Sequence, residues 1–114
     1  MNRLAVLLAV LLASTLWAAD LSGTWNFHVV LDAGSGDPTF VLVQKGETLS
    51  GTYTGTLGEA KVRGTVKEED VEILFDVQNE TIHYTGKLEG SDKLKGTVKY
   101  GSLGSGTFTA ERKK

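Results

Sequence analysis

The 114-residue chain has no cysteine and one proline, Pro38. Without cysteine there is no disulfide, no lipid-modified thiol, no cysteine nucleophile and no thiolate metal site, so any fold must rest on its core alone. With one proline, nearly every residue keeps the N–H that a sheet ladder needs. Positive charge is not in excess: 12 Lys and Arg against 14 Asp and Glu leave a net charge of -2, which argues against a nucleic-acid partner. After residue 19 no stretch follows a helical period, and no Gly-x-Ser-x-Gly turn occurs. The two histidines, His28 and His83, have no spaced third ligand and make no zinc site.

One long apolar run is present, at the start. Arg3 precedes Leu4 to Ala13, and Ser14-Thr15-Leu16-Trp17-Ala18-Ala19 follows, the layout of a secretory signal peptide. Residues 1–19 are expected to be a leader cut near Ala18 or Ala19, and residues 20–114 a single exported domain, periplasmic or secreted. The alternative is an uncleaved anchor. At about 1.5 Å rise per residue, however, the run spans only about two-thirds of the hydrocarbon core, and no membrane partner is expected.

The rest of the chain is rich in glycine, 14 in all, and organised around a repeated Gly-Thr pair followed by an apolar residue. It occurs at Gly23-Thr24-Trp25, Gly51-Thr52-Tyr53, Gly64-Thr65-Val66, Gly96-Thr97-Val98 and Gly106-Thr107-Phe108. Period-two alternation predicts strands with Trp25, Phe27, Val29 and Leu31 inward on the first, and Val71, Ile73, Phe75 and Val77 inward on the fifth. The glycine-rich segment from Asp32 to Pro38 reads as a loop. The second strand, Thr39 to Gln44, is apolar on both faces, as if its outside were covered. Turns at Lys45-Gly46-Glu47, Gly58-Glu59, Glu68-Glu69-Asp70, Gln78-Asn79-Glu80 and Gly101-Ser102 are among the connections of a meander of eight strands. The expected fold is all-β, a single eight-stranded antiparallel up-and-down barrel, because eight is a number at which such a meander closes and abolishes its edges. Outward lysines exclude an outer-membrane barrel.

Gly23-Thr24-Trp25 on the first strand and Arg112 on the last resemble the calycin group of lipocalin-like and avidin-like barrels. There a basic residue packs across a first-strand tryptophan to close one end. Leu49-Ser50-Gly51-Thr52-Tyr53 is similar to the third strand of the avidin-like branch. The tryptophans that wall the biotin site of avidins have no counterpart, so the resemblance implies the barrel and its closed end and does not imply biotin. The chain also resembles short Gly-Thr-rich barrels of uncharacterised exported bacterial proteins.

Catalytic signals are weak throughout. Glu68-Glu69-Asp70 lies at a hairpin tip where nothing separates the carboxylate pKa values. The Asp32 to Asp37 segment reads as a turn rather than a calcium loop, and Asn79-Glu80-Thr81 as a tight turn rather than a glycosylation site. No enzyme activity, cofactor or metal is therefore expected. The inward aromatics Trp25, Phe27, Tyr53, Phe75, Tyr84 and Tyr100 read either as a filled core or as the lining of a ligand site at one barrel mouth, with tyrosine hydroxyls as polar anchors. The expected function is binding of a small apolar or amphipathic ligand. The alternative is a filled-core structural or interaction module, homodimeric through the second strand by Val30, Val41 and Val43, or by Phe40 and Leu42 in the opposite register.

Overall fold

A computed structural model describes residues 20–114; the expected leader, 1–19, lies outside the described residues. The strands are β1 (Gly23–Leu31), β2 (Gly34–Gly36), β3 (Thr39–Lys45), β4 (Thr48–Gly55), β5 (Gly58–Lys67), β6 (Asp70–Val77), β7 (Glu80–Glu89), β8 (Lys93–Tyr100) and β9 (Ser105–Arg112). From β3 onward each strand pairs antiparallel with the next, and β1 joins β3 on one side and β9 on the other. Eight strands, β1 and β3 to β9, thus close an up-and-down barrel, with β2 as an extra strand outside the ring.

The loop expected from Asp32 to Pro38 is shorter than its composition suggests. Only Asp32 and Ala33 turn, and Gly34–Gly36 runs back along β1, pairing Leu31 with Gly34 and Val29 with Gly36. The β1–β2 and β1–β3 pairings share one register, so β2 and β3 lie on a single line interrupted at Asp37-Pro38. Pro38 is the reason: it accepts a bond from the Phe27 N–H at 3.0 Å but has no N–H to return. Glycine, serine and aspartate disguise this segment because pairing with β1, not propensity, makes it a strand.

Alternation holds around the ring. Trp25, Phe27, Val29, Phe40, Leu42, Tyr53, Ile73, Phe75, Tyr84, Val98 and Phe108 are among the buried side chains, and the described residues bury no charged or polar residue. The repeated glycines fall on the inward parity, and several of them have no room for a side chain. A Cβ at Gly64 would strike the Glu72 carbonyl, one at Gly96 the Thr85 carbonyl and one at Gly106 the Val30 carbonyl. Outside, Lys87 meets Asp70 at 2.6 Å and Arg63 meets Asp76 at 3.1 Å, pairs that favour the observed register. In the tight turn after β6, Gln78 and Asn79 both take positive φ, 50° and 67°, the signature of a two-residue hairpin loop. The turn after β4 is Thr56-Leu57; Gly58 and Glu59, expected in it, begin β5.

Phe40 and Leu42 point inward, while Val30, Val41 and Val43 are 46%, 43% and 44% exposed. They do not form one patch. Val41 lies beside Thr24 and Thr52, whereas Val30 lies beside Ser35 and Thr107, toward the other end of β1.

Candidate functional site

The two ends of the barrel differ. One carries Asp20–Ser22, the turns after β3, β5 and β7, and the end of β9. There the Trp25 indole N–H donates to the Leu21 carbonyl at 2.9 Å, and the Arg112 guanidinium lies 4.8 Å from the centre of the Trp25 ring. Arg112 also donates to the carbonyls of Ser22 (2.6 Å), Asp20 (2.8 Å) and Ser91 (2.7 Å) and to the Asp92 carboxylate (2.9 Å). A planar guanidinium alone presents enough fixed donors to gather three strand ends over one ring. The plug implied by the calycin resemblance is thus in place, and Trp25 belongs to it.

The middle is filled by rings. Phe27 packs on Phe40 at 4.2 Å between centroids and on Phe108 at 5.2 Å, while Tyr53 stacks on Phe75 at 4.2 Å and Tyr84 meets Phe40 edge-on at 5.4 Å. Phe27, Phe75 and Tyr84 are therefore floor and not wall.

The other end, the mouth, carries the turns after β1, β4, β6 and β8. A cavity of about 220 Å³ opens there between the β1–β2 hairpin and the β4–β5 turn. Val29, Leu31, Pro38, Leu57, Tyr53 and Tyr100 line it, together with Gly34, Ser35 and Gly36. Larger hollows exist, such as one of about 390 Å³ among Lys87, Lys95, Thr97, Thr107 and Thr109, but those residues form the outer wall and enclose little. Of the six aromatics predicted as a site, only Tyr53 and Tyr100 reach the cavity. Sequence reading missed Leu57, Pro38 and the Gly34–Gly36 edge. An apolar residue at a hairpin tip, as in Thr56-Leu57-Gly58, was the available signal.

The phenols form a short polar chain under the mouth. The Tyr84 and Tyr100 hydroxyls are 2.7 Å apart, and the Leu57 N–H donates to the Tyr53 hydroxyl at 3.4 Å. Burial, reinforced by the Tyr100 phenol, raises the Tyr84 pKa far above its ordinary value. Burial likewise pushes Tyr100 up to about 12, against an opposing effect of the Tyr84 hydrogen bond. Both hydroxyls therefore stay neutral at ordinary pH and hydrogen-bond to each other. Because their folded values lie above the ordinary 10.0, their contribution is complete below that pH and is lost as pH rises through the folded values. Denaturant midpoints are expected to fall above pH 10, with the tyrosinate absorbance of Tyr84 appearing only with unfolding. Normal titration of Tyr84 and Tyr100 in the folded protein would contradict this burial.

At the rim the Glu80 carboxylate accepts from the Ser102 hydroxyl (2.6 Å) and the Ser102 N–H (3.1 Å), bonds that lower its pKa and tie down the 3-10 turn Gly101–Leu103. The histidines are on the outer wall, His28 against Asp37 at 2.7 Å and His83 against Glu72 at 3.2 Å. Among the described residues no cluster of three or more His, Asp or Glu is placed to hold a metal.

No protein-family model and no curated protein matches the sequence. Among solved structures, the chain is similar to a redesigned β-barrel, mFAP1, bound to DFHBI. The TM-score is 0.63 at 13% identity, over 82% of this chain and 94% of that one. At that identity the likeness is one of fold.

Proposed function

We propose that this protein is an exported barrel that binds a small apolar or amphipathic compound at its mouth and does not transform it. The observation that carries the reading is the cavity, with apolar walls of Val29, Leu31, Pro38 and Leu57 and the phenols of Tyr53 and Tyr100. Ligand sites combine largely apolar walls with a few placed polar groups. A dry cavity of about 150 Å³ already takes a benzene ring, so about 220 Å³ suits one substituted ring or a branched chain of similar bulk. Similarity in fold to a barrel bound to DFHBI supports the reading by analogy. Neutral phenols are poor bases and poor nucleophiles, which favours binding without turnover.

Gly36 offers the direct test. Its backbone does not adopt the left-handed region, and an added Cβ would have only the Thr56 hydroxyl near it, at 3.8 Å, so a larger side chain would grow into the cavity. Gly36→Leu is expected to abolish retention of small molecules in native mass spectrometry of protein from its own host. Its thermal midpoint should be unchanged or raised, since glycine costs a strand roughly 0.5–1 kcal/mol relative to alanine. Retention undiminished in a folded Gly36→Leu protein would place the ligand elsewhere or remove the proposal.

A filled-core interaction module is the second reading, favoured by the packed rings and by the exposed pair Val41 and Val43. A ligand-free dimer in the same spectra would move the function to that outer face.

A further inference from the structure

The cavity has one wall made of backbone rather than side chains. Gly34 and Gly36 pair with the inward residues Leu31 and Val29, and having no side chains they leave the interior open beside β2. Ser35 pairs with Val30, which is exposed, so its side chain takes the outer face and its contribution to the cavity lining is its backbone.

The direction of that backbone follows from the ladder. Phe27 and Pro38 are a hydrogen-bonded pair across β1 and the β2–β3 line. Along an antiparallel ladder such pairs alternate with pairs whose N–H and C=O point the other way. Counting back from Pro38, Gly36 and Gly34 bond to β1, and Ser35 does not. The opposite side of the β1–β9 ladder agrees, since the Lys113 N–H donates to the Thr24 carbonyl at 2.7 Å, which sets residues 26, 28 and 30 to bond toward β9. Ser35 therefore directs both its N–H and its C=O away from β1. Among the described residues β1 is the one strand neighbour of β2, and on its far side the ring strand β4 has already turned at Thr56-Leu57. Donor and acceptor of a single strand residue therefore lie side by side on the edge of β2 away from β1, and Ser35 is among the residues lining the cavity.

Resting on the mouth as the binding site, we infer that its ligand class is the apolar amide. A carboxamide carries an adjacent acceptor and donor that match the Ser35 N–H and C=O, pairing the edge that the β4–β5 turn leaves open. Its apolar body would lie against Val29, Leu31 and Leu57, below which Tyr53 and Tyr100 form the end of the space.

The probes are benzamide and isopropylbenzene, of nearly the same shape, of which only the first has the amide. Added to the barrel uniformly labelled with ¹⁵N, benzamide is expected to move the Ser35 amide proton downfield, and isopropylbenzene to leave it in place while shifting Tyr53 and Tyr100. Ser35→Pro removes the outward N–H at a position where no ladder bond to β1 is lost. It is expected to weaken benzamide by about tenfold, the range of one hydrogen bond, and isopropylbenzene not at all. Should that variant fail to fold, the Ser35 shift in the unaltered protein decides. Equal effects of both probes, or benzamide binding without a Ser35 shift, would overturn the amide inference and leave the mouth as a binding site. If neither probe binds, the amide inference also falls, and retained mass lost in Gly36→Leu then reports separately on the mouth.

Discussion

Trp25→Ala is expected to lower the unfolding free energy by about 3–5 kcal/mol, the usual range for a fully buried large aromatic. The ring is wholly inaccessible and lies between the interior and the Arg112 guanidinium, so removing it opens a cavity and also deprives Arg112 of its platform. The Leu21 carbonyl loses its indole donor as well. Urea denaturation followed by far-ultraviolet circular dichroism measures the change without relying on the deleted fluorophore. Trp25→Phe, which keeps a ring under Arg112, should lose less than Trp25→Ala. A loss under about 1 kcal/mol for Trp25→Ala, the size of an ordinary substitution, would mean that the plug contributes little to the barrel.

Gly96→Ala should have the second-largest effect, for the opposite reason. Here nothing is removed; one methyl is added where no space exists. The new Cβ would overlap the Thr85 carbonyl and approach the Gly86 Cα to 2.5 Å, and both obstacles are backbone of the adjoining strand. A flexible side chain could swing away, but two paired strands cannot separate without breaking their ladder. Overpacking of this kind costs about 1–3 kcal/mol, and the upper end applies when the neighbour is main chain. Thr97→Ala, one residue along on the outer face, should cost under about 1 kcal/mol, reflecting strand preference alone. Equal midpoints for the two variants would show that the inward glycines are not placed by crowding.

That contrast shows how far the fold was legible. Alternation in Gly-Thr-Trp, Gly-Thr-Tyr and Gly-Thr-Val assigns inward and outward faces because side chains in a strand must alternate. Gly96 therefore stands inside and Thr97 outside whatever the partner strands are. Trp25 and Arg112 could be paired in advance, since β1 and the last strand must meet if the meander closes. The mouth was less legible. Tyr53 and Tyr100 carried the right parity, but so did Phe27, Phe75, Tyr84 and Trp25, and parity says nothing about height along the barrel axis. Which aromatic is plug, floor or wall depends on strand tilt and stagger, which belong to the closed sheet as a whole.

By itself, then, the sequence determined the all-β class, the faces of the strands that alternate cleanly and the absence of any thiol chemistry, because these follow from local alternation and composition. The second strand, apolar on both faces, took its inward face, Phe40 and Leu42, from the structure. Only the tertiary structure decided that Gly34–Gly36 is a strand, that Val30 is separated from Val41 and Val43, and that a cavity lies between a backbone edge and a hairpin tip. Each of these depends on which residues from distant parts of the chain lie side by side. Register is fixed by the summed packing of all strands and not by the local composition of any one.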